Sequence, residues 1–186
     1  MDVSKINSLI ELYFKKAEQI DKKKPFLKWL NPKNNHQYNW EEVTEKIYKF
    51  SYKIKSLIKE GDRVLLLSEN RPEWLIADLA IMNAGGITVP IFTTYAERDY
   101  EYILKDCSPS LIVVSNDAQF EKINKFIDNK EIISFEKIKT PSITFESIFD
   151  EKYEKEINDK LNRKLPACII YTSGTTGNPK GVILSH

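Results

Sequence analysis

The chain is poor in the residues that staple small or secreted folds: among 186 residues there are two cysteines, Cys107 and Cys168, and two histidines. Two cysteines without metal-ligand spacing argue against a disulfide scaffold or a zinc cluster, and read as reduced thiols of a cytoplasmic protein. No histidine lies near either in sequence, so neither is a candidate nucleophile, although pairing in space stays open. Net charge is nearly absent as well: 28 basic against 27 acidic side chains leave +1. Such a surface has no global field to gather nucleic acid or acidic lipid. Lysines do cluster at 21–24 and 152–164, but acids interleave in the second cluster, which suits solvated helix faces better than a polyanion site. Long apolar runs are missing. The most apolar window, 74–84, is too short and too interrupted to span a bilayer. Residues 1–24 carry charges throughout and have no signal-peptide core. These absences predict a cytoplasmic protein without a nucleic-acid partner or a transmembrane segment, and leave peripheral membrane contact open.

Glycine is scarce too, six in all, and three of the six fall in one stretch, Thr172-Ser173-Gly174-Thr175-Thr176-Gly177-Asn178-Pro179-Lys180-Gly181-Val182. Apolar runs at 167–171 and 182–184 flank it, which predicts two buried strands joined by a tight polar loop. Glycine permits φ > 0 and close backbone approach, while hydroxyls and amide N–H groups donate hydrogen bonds. A loop of donors with one cation and no carboxylate suits an anion with several oxygens, a phosphate above all. An ordinary hairpin turn is the plainer alternative. The Walker arrangement is excluded, because Gly177 is followed by Asn178-Pro179-Lys180-Gly181 and an apolar strand rather than by Gly-Lys-Ser/Thr opening a helix.

Along the chain, helical spacing predicts an amphipathic helix over 4–20 with Ser4 as N-cap, and a second over 40–60, capped by Asn39 and closed by Gly61. A short strand at 25–30 and a partner beginning at Tyr38 flank an Asn-Pro-Lys-Asn-Asn turn. Continuous apolar strands are expected at 63–68, 87–91, 110–114, 132–135 and 167–171. Helices are expected at 70–84, 96–106, 117–128 and 145–161. Asn70 and Pro72 open the first of these, with Trp74 deeply buried, and Gly85-Gly86 stops it. Pro90 places a strand end or a sheet edge at its position. Strand–helix alternation at this period predicts an α/β fold, a mostly parallel sheet wrapped by helices, with ligands outside the carboxyl ends of the strands.

The stretch 172–182 resembles the phosphate-loop signature of the AMP-forming adenylating enzymes: acyl-CoA synthetases, peptide-synthetase adenylation domains and luciferases. The segments Glu69-Asn70-Arg71-Pro72-Glu73-Trp74 through Ile81, Gly85-Gly86-Ile87-Thr88-Val89-Pro90-Ile91 and Tyr102-Ile103-Leu104-Lys105-Asp106-Cys107 are similar to long-chain fatty acyl-CoA synthetases. A capped helix and a buried strand explain 70–91 without a ligand. The resemblance covers about 25–186 and is weakest over 116–165. It implies a ligase that joins a carboxylic (fatty) acid to AMP from ATP and Mg2+, then transfers the acyl group to coenzyme A. It further implies that Thr172, Ser173, Gly174, Thr175 and Thr176 hold the β- and γ-phosphates and that Gly177 permits the turn. Lys180, the nearest positive charge, is either a phosphate ligand or a solvent-facing lysine. No catalytic or metal-binding residue of the family matches a position in 1–186. The expectation is therefore a single incomplete adenylation domain, an N-terminal fragment inactive alone, with an unsatisfied sheet edge. A module that loads a carrier protein and a non-catalytic interaction domain are the alternatives.

Overall fold

The computed structural model describes residues 2–30, 35–172 and 177–186. In chain order the elements are α1 (Leu9–Gln19), β1 (Pro25–Trp29), β2 (His36–Asn39), α2 (Trp40–Lys55), β3 (Arg63–Leu67), α3 (Pro72–Asn83), β4 (Ile87–Ile91), α4 (Glu97–Cys107), β5 (Leu111–Val114), α5 (Asp117–Phe120), β6 (Glu131–Ser134), β7 (Ile143–Thr144), α6 (Phe145–Ile148), β8 (Pro166–Thr172) and β9 (Lys180–Ser185). Strands β1 and β2 form a small antiparallel ribbon. The other seven form one sheet in the order β7-β6-β5-β3-β4-β8-β9, in which only the β8–β9 pair is antiparallel.

The apolar strands bury both faces, as their lack of alternation predicts. Val64, Leu66, Leu111, Val113 and Ile133 point into a core shared with α1, α2 and α3. Leu65, Leu67, Val89, Ile91, Ile112 and Val114 point into a second core under α4. The chain steps from β3 to β4 on one side and then crosses to β5 on the other. That reversal puts α3 and α4 on opposite faces and produces the three layers.

Helix boundaries follow their caps. The Ser8 hydroxyl accepts from the Glu11 amide at 3.1 Å and the Glu11 carboxylate accepts from the Asn7 amide at 2.6 Å. The first helix therefore starts at Leu9, not after Ser4, and Val3–Lys5 form a separate 3-10 turn. At α2 the Asn39 side chain accepts from the Glu42 amide at 2.9 Å while Glu42 accepts from the Asn39 amide at 2.7 Å, a reciprocal capping box. That helix ends at Lys55 because the Ile54 carbonyl takes up the Leu57 and Ile58 amides in a tightened turn. Gly61, at φ +81, instead joins two turns, donating its amide to the Gly85 carbonyl at 2.8 Å. Helix α3 has Pro72 in its first turn, but Arg71 precedes it and no side chain caps it, Asn70 included.

Four further expectations fail. The span 117–128 forms only the single turn of α5 and a 3-10 turn, Asn124–Phe126. Lys122 there donates to the Thr93 carbonyl at 2.6 Å and to Gln119 at 2.8 Å, tying the segment to the β4–α4 turn. The span 145–161 is helical only in α6. Beyond it, side chains of α2 and α3 take the groups that a helix would use: Asn83 bonds the Glu156 carbonyl at 2.9 Å and the Asn158 amide at 3.0 Å, and Lys53 and Lys55 pair with Glu151 and Glu156. Trp74 is only half-buried, packed at the rim of the core. Finally, β9 is exposed along its length rather than buried. Pro90 sits in an interior strand, opposite Leu66 of β3, at the penultimate residue of β4, so it marks the strand's end and not a sheet edge.

Candidate phosphate-binding site

Because β8 runs parallel to β4, its last residue, Thr172, lies at the edge of the sheet where β3, β4, β5 and β6 also end. The chain leaves the sheet there, and β9 returns antiparallel with Lys180 opposite Thr172 and Gly181 opposite Tyr171. Thr172 and Lys180 thus stand opposite each other at the two ends of the loop, and both are exposed. Gly177 takes φ +115 with open space around its Cα, so conformation rather than crowding selects glycine there. Gly181 is glycine for the other reason: a Cβ would sit 3.0 Å from Ile169 Cγ2 and 3.2 Å from the Tyr171 ring. Ser173, Gly174, Thr175 and Thr176, predicted to hold phosphate oxygens, lie outside the described residues.

No carboxylate occurs between Leu165 and His186. Hydroxyls, backbone N–H groups and one lysine at the carboxyl edge of a parallel sheet fit a polyphosphate anion. Among the described residues there is no group of three or more His, Cys, Asp or Glu side chains able to hold a metal.

Charged groups that follow β3 at the same sheet edge are paired within the protein. Arg71 donates to Glu73 at 2.8 Å and to Glu136 at 2.6 Å, and its guanidinium lies 4.7 Å from the centre of the Trp29 ring. Burial pushes the Glu69 carboxyl up, but hydrogen bonds, including one from Gln119 at 2.5 Å, outweigh it and hold the group below the usual range. Burial pushes the Cys107 thiol up to about 12, and burial plus the nearby Asp78 carboxylate raises that of Cys168, so both free thiols are poor nucleophiles. Hollows of about 260 Å³ between α1 and α2, lined by Phe14, Trp40 and Tyr48, and about 420 Å³ beside Lys46, belong to the helical layer and share no residue with the loop.

Two features escaped sequence reasoning. The Tyr95 hydroxyl donates to the Tyr171 carbonyl at 2.9 Å, and the Tyr171 hydroxyl donates to Asp106 at 2.5 Å. Asp78, on α3, is half-buried beside Thr88 and Cys168, and burial raises its carboxyl to about 6 although the Thr88 hydroxyl partly opposes this. Nothing in the local sequence signals either, since each joins residues from separate elements.

The three-layer α/β fold is shared with solved CoA ligases and a luciferase-like enzyme. The anthranilate CoA ligase AuaEII, solved with anthranoyl-AMP, superposes at TM-score 0.84 with 23% identity, covering 100% of this chain and 36% of its own. A luciferase-like enzyme of the mealworm Zophobas morio superposes at TM-score 0.85 with 22% identity, covering 100% of this chain and 44% of its own. In sequence, a long-chain-fatty-acid–CoA ligase of Xenopus laevis, ACSBG2, is 34% identical over 167 residues, 79% of this chain and 23% of that protein. The human ligase ACSBG1 is 31% identical over 170 residues, 81% of this chain and 24% of its own length. The family described as AMP-binding enzyme matches residues 14–186. The chain belongs to that family, and it spans about a quarter of the length of these relatives.

Proposed function

We propose that this chain is the phosphate-loop portion of an AMP-forming acid–thiol ligase that activates a long-chain fatty acid with ATP and passes it to coenzyme A. The observation that carries the reading is the acid-free loop at the carboxyl edge of β8, with Thr172 and Lys180 paired across its mouth. ATP supplies the phosphoryl leaving group and the AMP. The residues here would bind the β- and γ-phosphates: Thr172, Ser173, Thr175 and Thr176 through hydroxyls, Gly174 through its amide, Gly177 by allowing the turn, and Lys180 by its charge. Donors held in place before the charge develops stabilise it without reorganisation, and loss of one such donor costs about 3 kcal/mol of barrier. The fatty acyl preference is supported by the Xenopus and human ligases, whose names carry it. In this reading residues 1–186 are one incomplete adenylation domain, and the metal site, acyl pocket and coenzyme A site belong to further parts of a longer protein.

The test has two stages. The chain is first titrated with MgATP and with pyrophosphate, alongside Thr172→Ala and Lys180→Ala. It is then extended to the length of its relatives and assayed for carboxylate-dependent ATP–pyrophosphate exchange with fatty, aryl and amino acids. Exchange with long-chain acids and thioester formation on coenzyme A are expected. No exchange with any acid would end the ligase reading, and loading of a phosphopantetheinyl carrier in place of coenzyme A would redirect it.

A further inference from the structure

We propose that Tyr95 is a positioning residue for the phosphate loop, its hydroxyl fixing the end of β8 so that Thr172 and Lys180 hold their places at the loop's mouth. The inference rests on the phosphate-binding reading of that loop. Tyr95 lies in the turn between β4 and α4, and its hydroxyl donates to the backbone carbonyl of Tyr171, the residue before Thr172. The contact joins residues 76 apart in sequence. It crosses from the turn after β4 to the end of β8, its neighbour in the sheet.

Tyr95 is itself held. Its ring meets Phe92 edge-on at 5.4 Å and Tyr100 edge-on at 6.1 Å, and the Tyr100 hydroxyl donates to the Phe92 carbonyl at 2.9 Å, pinning the turn that carries both. On the receiving side Tyr171 is buried and fixed at a second point, since its hydroxyl reaches Asp106 near the far end of α4. Its ring then packs against Gly181, which has no side chain to keep it away. A continuous path of contacts therefore runs from α4 through Tyr171 to the return strand of the hairpin. The path's contacts lie beside the two ends of the loop, and its one carboxylate, Asp106, sits near the far end of α4. Their service to phosphate is geometric: donors aimed at a phosphoryl group act only when their directions are set beforehand, and an error of about 1 Å in placement is costly.

Tyr95→Phe keeps the ring and removes only the hydroxyl, so it isolates this contact. Amide hydrogen exchange is to be measured on the free chain and its variant, together with equilibrium binding of MgATP and of pyrophosphate. The expected result is exchange about five- to tenfold faster at 171–172 and 177–182, unchanged exchange in β3 and β5, and binding weaker by a similar factor, as the loss of one hydrogen bond implies. Unchanged exchange at those positions overturns the proposal. So does a rise spread over the whole sheet, which would assign Tyr95 to general stability. If the wild-type chain binds neither ligand, the phosphate reading falls, and the exchange pattern alone decides whether Tyr95 holds the hairpin. In the extended enzyme the same substitution should lower kcat for adenylation more than it raises KM for ATP, a split that a purely structural role would not produce.

Discussion

The middle of the sheet and its β8–β9 margin are built on opposite terms. Strands β3 and β5 are covered by helices on both faces, and Leu65, Leu66, Leu111, Ile112 and Val113 have no exposed surface. At the margin, β8 is only partly covered and β9 is exposed, with Val182, Ile183 and Leu184 showing 44%, 63% and 47% of their surface. The polar loop hangs from this second region. Stability and candidate chemistry therefore sit in separate parts of one sheet, joined by α4, whose flanking Tyr95 and own Asp106 reach across to Tyr171. A polyphosphate site needs backbone donors free of the ladder and open to solvent, which a strand buried on both faces cannot offer.

This contrast can be broken by substitution. The largest effect is expected at Phe50, fully buried on α2 against Phe145: Phe50→Ala should cost about 3–5 kcal/mol in denaturant melts and leave the intrinsic affinity of folded protein for MgATP unchanged. A loss of affinity measured on folded protein would show that the two regions are not separable. Next is Gly181→Val, whose side chain meets Ile169 and the Tyr171 ring within 3.2 Å. About 1–3 kcal/mol of destabilisation by overpacking is expected, this time with weaker nucleotide binding, because the strain falls on the loop's return strand.

A smaller effect sharpens the boundary between the regions. The Asp78 carboxyl titrates near 6 in the folded chain against an ordinary value of 3.8, because burial disfavours its charge. Between those values the folded state binds more protons than the unfolded one, so stability falls as pH rises through that window and stays lower above it. Asp78→Asn should flatten the slope and stabilise the chain at pH 7 by about 1 kcal/mol, a figure reduced because the carboxylate keeps some water. An unchanged slope of unfolding free energy between pH 4 and 6 would reject this account. Smallest in stability is Ile183→Lys on the exposed edge strand, within about 0.5 kcal/mol of wild type. It should nonetheless reduce self-association in sedimentation velocity, since a charge on an edge strand blocks pairing between copies.

Much of this could be read from the residues alone. Continuous apolar runs at 63–67, 87–91 and 111–114 can only be strands buried on both faces, and the helices between them force parallel connections. The Asn39–Glu42 box and the Pro72 start are written within four residues of chain. The donor-rich composition of the 172–182 stretch was legible because it is local: hydroxyls, glycines and one lysine without an acid. Where reading failed, the partners were distant. Residues 149–165 forgo a helix because Asn83, Lys53 and Lys55 take their polar groups, and no pattern within that segment announces partners 73 to 101 positions away. Trp74 and β9 look as apolar as any core residue, and only the assembled layers decide which apolar surface is covered. The sequence by itself determined the strands, the helices with strong caps and the donor-rich make-up of the stretch between β8 and β9, because propensity, capping and composition act over a few residues. The tertiary structure alone decided that Tyr95 and Asp106 hold Tyr171, that Asp78 is raised, and that one margin of the sheet stays open, because burial and cross-strand contact exist only once the layers have closed.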